Sequence, residues 1–208
     1  MNKQAASNIF KLLLVAIITY GLYLSFFKPL SVENDLLPAI AYFTIQSNIL
    51  VVLALVFFLF ANHGNRTAAV ARGGAMIYIL VTGLVFHFIL VPGLPEYFAE
   101  GVTFRHHITH TIAPIGFILD WVLFDRKGLM RYSDLKYWII YPLLYWIFTI
   151  IHGRISGLYP YFFMDAGAIG FAAVLTWFFA LTAFFSILGL IIIRLDNMVF
   201  FSLNKKFR

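Results

Sequence analysis

Arg105-His106-His107-Ile108-Thr109-His110-Thr111-Ile112-Ala113-Pro114 puts three of the chain's six histidines into five residues, then runs without a break into the apolar segment 115–124. At helical spacing, His107, His110, Thr111 and Pro114 fall at i, i+3, i+4 and i+7, which predicts one shared polar face. A polar face on so apolar a segment needs neighbours that share it. The rest of the chain shows what they are.

Only 12% of the 208 residues are charged, 62% are hydrophobic, and mean hydropathy is +0.90. A soluble domain carries about 25% charged residues. The composition predicts an integral membrane protein. Six apolar stretches recur, at 9–27, 38–61, 73–91, 104–124, 135–151 and 166–193. Each is long enough for a hydrocarbon core of about 30 Å, and lipid leaves the backbone no alternative to helices. The first stretch resembles a signal peptide in its basic start. It is longer than a usual signal core and no small-x-small site follows, so it reads as a retained helix. The expectation is an all-α, single six-helix transmembrane domain over 1–208.

Lysine and arginine placement orients it. The N-terminus, second loop, fourth loop and C-terminus, with their flanks, hold 12 basic residues; the other three loops hold Lys28, Arg105 and Arg154. The positive-inside rule then places both termini in the cytoplasm. It also accounts for the +6 net charge without nucleic acid. With no cysteine in the chain, there is no disulfide framework, thiolate nucleophile or cysteine metal site.

Orientation converts the sequence into a depth map. Thr44 lies six residues past Pro38, and His110 six past Phe104, each roughly 9 Å along its helix from the outer edge. His87 lies about one turn below that edge and His152 at it. Gln46, Ser47 and Asn48 follow Thr44 in the same outer half. Polar groups in lipid are costly and turn toward an interior cavity, so this set predicts a site in the outer half. Asp120, near the inner end, is expected to snorkel or pair with Arg126. Pro114 and Pro142 are expected to kink their helices, and the aromatics of 138–161 to form an interfacial belt or packing.

Two chemistries fit the set. Histidine is suited to take a hydroxyl proton near neutral pH, so Thr44 and His110 form a candidate nucleophile–base pair. Gln46, Asn48, His107 or a backbone carbonyl would stand behind the base, since Asp120 is about 15 Å along the helix from His110. Alternatively, His107 and His110 with His87 or His152 present imidazoles for zinc, although no HExxH occurs and no carboxylate is near. No cofactor is called for.

Three patches carry a resemblance. They are Tyr42-Phe43-Thr44 followed by Ser47 and Asn48; His107-x-x-His110-Thr111 with Pro114; and Trp146 through His152, Gly157 and Tyr159-Pro160-Tyr161-Phe162. In order and approximate spacing they resemble the androgen-induced membrane hydrolase family and its bacterial six-span relatives. Pro114 follows His110 by four residues, against five in the animal pattern. The resemblance implies a threonine hydrolase that cleaves fatty acid esters of hydroxy fatty acids or related lipid esters. Thr44 would be its nucleophile and His110 its base, with His107 as the alternative base. Ser47, Asn48, Gln46, His87, Thr111 and His152 would support or line the site. It implies a multi-pass protein of a bacterial cytoplasmic membrane. A lipid- or small-solute-binding protein without catalysis is the rival class.

Overall fold

Apolar stretches that cannot leave backbone groups open in lipid fold as helices, and the computed structural model of the chain has six of them. It describes residues 2–27, 39–60 and 65–205. The helices are α1 (Lys3–Phe27), α2 (Phe43–Phe60), α3 (Arg66–Gly93), α4 (Phe104–Phe124), α5 (Leu135–Ser156) and α6 (Phe171–Lys205). Each is long and apolar enough to cross a membrane. Pro38 and the acidic residues Glu33 and Asp35 lie outside the described residues.

The most buried helix is α3. It packs on α2, α4, α5 and α6, while α1 packs on α2 and α4. Lipid tails are as apolar as leucine, so burial alone gives membrane helices little reason to associate; close packing of small residues does. A Cβ on Gly73 of α3 would lie 2.1 Å from the Trp138 ring of α5, and one on Gly116 of α4 would lie 2.6 Å from Leu14 of α1. These glycines let bulky partners from the neighbouring helix lie against the backbone.

Several helix boundaries differ from expectation: α1 starts at Lys3, α2 at Phe43, α5 runs on to Ser156 and α6 to Lys205, and the starts of α3 and α6 each have a local cause. The third helix begins at Arg66, not near Gly73, with the Asn65 side chain accepting from the Ala68 N–H at 2.6 Å. Its two early arginines are helical because each has acidic partners. Arg66 pairs with Asp134, and Arg72 with Asp120 (2.8 Å) and Asp125 (2.7 Å). The sixth helix begins at Phe171, after a one-turn helix over 166–169, because Gly170 breaks the chain at φ +82°.

Asp120 neither snorkels nor pairs with Arg126. It is fully buried and sits between Lys11 of α1 (2.9 Å) and Arg72 of α3. The Arg72 guanidinium also lies over the rings of Phe58 and Phe117, 4.0 and 4.6 Å from their centroids. Three helices are thus locked by one carboxylate at the end of the bundle opposite Thr44.

The prolines act differently from one another. Proline has no N–H for the carbonyl four residues earlier and clashes with it. In α4 the turn before Pro114 widens into a π-helix over Ile108–Ile112, closed by the Ala113 N–H on the Ile108 carbonyl. In α3 the same occurs over Phe86–Leu90 before Pro92. By contrast, α5 runs unbroken through Pro142. The carbonyl freed there, that of Trp138, accepts from the Tyr78 hydroxyl at 3.0 Å.

Candidate active site

Thr44 occupies the first turn of α2, whose N-terminal N–H groups need partners from outside the helix. Tyrosine hydroxyls supply two of them. Phe43 N–H donates to the Tyr145 hydroxyl (3.1 Å), which donates onward to the Ala41 carbonyl (2.9 Å). Thr44 N–H donates to the Tyr161 hydroxyl at 3.4 Å. The Thr44 carbonyl accepts from Asn48 Nδ2 (2.8 Å) and Ser47 Oγ (3.0 Å). Asn48 also donates to the Thr109 carbonyl of α4 at 3.1 Å, and Ser47 meets Thr82 of α3 at 2.8 Å. Ser47 and Asn48, both fully buried, therefore fix the backbone of Thr44 against two neighbouring helices.

The Thr44 side chain is held as firmly. Its Oγ1 lies 3.2 Å from His110 Nε2. The other ring nitrogen, Nδ1, lies 3.1 Å from the His106 carbonyl and 2.9 Å from Thr109 Oγ1. A carbonyl only accepts, and Thr109 Oγ1 already donates its proton to the Arg105 carbonyl at 3.0 Å. Both contacts assign the proton to Nδ1, which leaves the lone pair of Nε2 facing the Thr44 hydroxyl. That tautomer is the one a general base needs. Phe86, from the π turn of α3, stacks on the imidazole with centroids 3.8 Å apart and planes at 21°. His110 itself is buried, only 6% exposed.

The π turn redistributes the histidine cluster. A regular helix would put His107 on the face of His110. The wider turn over 108–112 instead leaves His107 exposed, while His106 packs beside Phe86 and within 5.8 Å of His110, centroid to centroid. His87 and Thr111 meet each other at 2.9 Å on an exposed surface and do not touch Thr44. His152 folds onto the turn after α5, 3.3 Å from the Leu158 carbonyl. Gln46 secures the start of α2, donating to the Ile40 carbonyl at 2.8 Å and accepting from the Tyr141 hydroxyl. The zinc set of His107, His110 and His87 or His152 is thus dispersed. Among the described residues no three histidine or carboxylate side chains gather as a metal ion requires.

A small cleft with about 40 Å³ of free volume, partly open to the outside, adjoins Thr44. Val81, Val85, Trp146, Met164, Leu181 and Phe185 give it an apolar wall, and Thr44 and Tyr161 contribute hydroxyls. His110 reaches Thr44 from the α4 side and does not line the cleft. The nucleophile candidate therefore has its base on one side and an apolar chamber on the other.

The pair depends on how closely α3 and α4 approach. A Cβ on Gly83 would lie 2.8 Å from the His110 carbonyl and 3.1 Å from Pro114. Gly83→Ala pushes α4 away from α3 just where His110 is anchored. The expected result is folded protein in which His110 Nε2 is displaced from hydrogen-bond distance of Thr44 Oγ1. A structure of the purified variant, with its thermal unfolding, checks this.

Tyr145, Tyr161, Thr109, His106 and Phe86 were not legible as site residues from composition or spacing. The tyrosines sit in an aromatic-rich segment that reads equally well as interfacial belt, and Thr109 and His106 matter only because a π turn brings them to Nδ1. Comparison with protein-family models, with curated proteins and with solved structures finds no match for the chain.

Proposed function

We propose that this chain is a membrane-embedded lipid ester hydrolase with Thr44 as nucleophile and His110 as general base. One observation carries the reading. A hydroxyl at the wall of an apolar cleft lies 3.2 Å from the unprotonated nitrogen of a buried imidazole whose other nitrogen is tied to a carbonyl. An imidazole oriented in this way is built to accept a proton.

The reaction proceeds in two halves. Thr44 Oγ attacks the ester carbonyl carbon as its proton passes to His110 Nε2, and the carbonyl π pair moves onto oxygen. When that pair returns, the bond to the leaving alkoxide breaks, and His110 gives the alkoxide its proton. Water then attacks the acyl-threonine, again losing a proton to Nε2. Its collapse releases the fatty acid and returns the proton to Thr44 Oγ. Among the described residues, the His106 carbonyl and the Thr109 hydroxyl orient the base. Thr44 sits at the positive end of the α2 dipole, which favours negative charge developing on its oxygen.

The substrate class is an ester of a long-chain fatty acid, among them fatty acid esters of hydroxy fatty acids, with the acyl chain in the apolar cleft. The distribution of lysine and arginine supports cytoplasmic termini and a site in the outer half of the bilayer. The apolar cleft alone also suits a carrier that binds a lipid without cleaving it. Incubation of purified protein with long-chain ester substrates separates the two: hydrolysis supports the enzyme, and saturable binding without product supports the carrier. Cleft occupancy has its own test. Leu181→Trp fills the chamber, so hydrolysis of a long-chain ester should fall at least about tenfold relative to an acetate ester. Equal losses on both would contradict acyl binding there.

A further inference from the structure

An attacked ester needs a donor for the oxygen that becomes negative, and the polar groups so far assigned to Thr44 and His110 do not supply one. Tyr161 stands in the required place. Its hydroxyl lies 3.5 Å from Thr44 Oγ1, and its side chain shares the cleft wall with Thr44. His110 reaches Oγ1 at 3.2 Å without lining the cleft. A carbonyl carbon reaching Oγ1 from the cleft therefore turns its oxygen toward the tyrosine.

The bonding of Tyr161 aims its proton at the reacting centre. Thr44 N–H donates to the phenol oxygen, using a lone pair and not the hydrogen. The Thr44 hydroxyl proton is directed to His110, so Tyr161 is the donor in its 3.5 Å contact with Thr44 Oγ1, a long bond that it exchanges for the carbonyl oxygen as the ester arrives. The Tyr161 ring is fixed by stacking on buried Phe163, with centroids 5.2 Å apart and planes at 6°, and by an edge contact with Tyr42 at 6.0 Å. Burial pushes its phenol above the usual tyrosine range, which keeps the donor protonated through neutral pH.

We propose that the Tyr161 hydroxyl is the oxyanion donor, hydrogen-bonding the carbonyl oxygen as Thr44 attacks; this rests on the hydrolase reading above. The donor is a catalytic residue because it touches the reacting oxygen. No proton is transferred from it. The oxygen gains the carbonyl π pair, accepts the hydrogen bond, and releases it when the pair returns and the leaving group departs.

Tyr161→Phe removes the hydroxyl and keeps the ring. With purified protein and a long-chain ester, the expected result is a fall in kcat of about 10²–10³-fold with little change in KM. Tyr78→Phe removes another tyrosine hydroxyl, one that is bonded to the Trp138 carbonyl and not to Thr44, and should leave kcat unchanged. If Tyr161→Phe does not fold, 3-fluorotyrosine at position 161 serves instead. It keeps the ring and strengthens the donor, so kcat should change, whereas an unchanged kcat overturns the assignment. An active wild type, an inactive Thr44→Ala and a fully active Tyr161→Phe overturn Tyr161 alone. A wild type without turnover, or a Thr44→Ala variant as fast as wild type, overturns the hydrolase reading and the donor with it.

Discussion

Thr44→Ala and His110→Ala should each reduce lipid ester hydrolysis by at least about a thousandfold, and the double variant should lose little more. Removal of either member of a nucleophile–base pair typically costs most of what the pair contributes, so the losses do not add. Thr44→Ser keeps the hydroxyl within reach of His110 Nε2 and should retain activity within about tenfold of wild type. The structural cost is small at Thr44, whose backbone is held by Ser47, Asn48 and Tyr161 independently of its side chain. At His110 the loss of stacking on Phe86 lowers stability as well, so rates are compared on folded fractions. Steady-state hydrolysis with purified variants checks the pattern. Activity that persists in Thr44→Ala contradicts the assignment of the nucleophile.

The largest effect on stability is expected at the other end of the bundle. Asp120 is fully buried and faces Lys11 and Arg72, which are also buried. Asp120→Ala leaves the two cations with Asp125, through Arg72, as their acidic partner among the described residues. Breaking a buried ion pair by removing one partner costs about 3–5 kcal/mol. Thermal unfolding in detergent should show this loss, accompanied by reduced yield of folded protein. Lys11→Met combined with Asp120→Asn removes one charge of each sign and leaves Arg72 with Asp125. It should recover more than half of the loss, because the penalty lies in the uncompensated charge and not in the missing contact. Equal destabilisation in the single and the double variant would contradict that origin.

Hydropathy was enough to find six helices, since apolar length and lipid leave the backbone few options. It misjudged where α3 starts because Arg66 and Arg72 look like loop charges until their acidic partners are known. Those partners lie far along the chain: Arg66 pairs with Asp134 across 68 residues. Linear spacing cannot show such a pairing. The depth map did bring Thr44 and His110 to one level, and the structure brings their side chains into contact. It erred with His107, because a regular helical period was applied to a segment that Pro114 forces into a π turn. Tyr161 falls in one of the three patches that the sequence singles out, but its contact with Thr44 was not visible there. Its hydroxyl reaches Thr44 from a loop 117 residues away, and tyrosine is too common near a membrane surface to stand out by type.

The central claim is that the Thr44 oxygen is the nucleophile. A lipid-like fluorophosphonate incubated with the purified protein, followed by mass spectrometry of its peptides, tests that directly. The account predicts one phosphonyl adduct, on the peptide carrying Thr44 and at its Oγ, absent from Thr44→Ala and strongly reduced in His110→Ala. An adduct on another residue, or no adduct in protein that turns over a lipid ester, would contradict it.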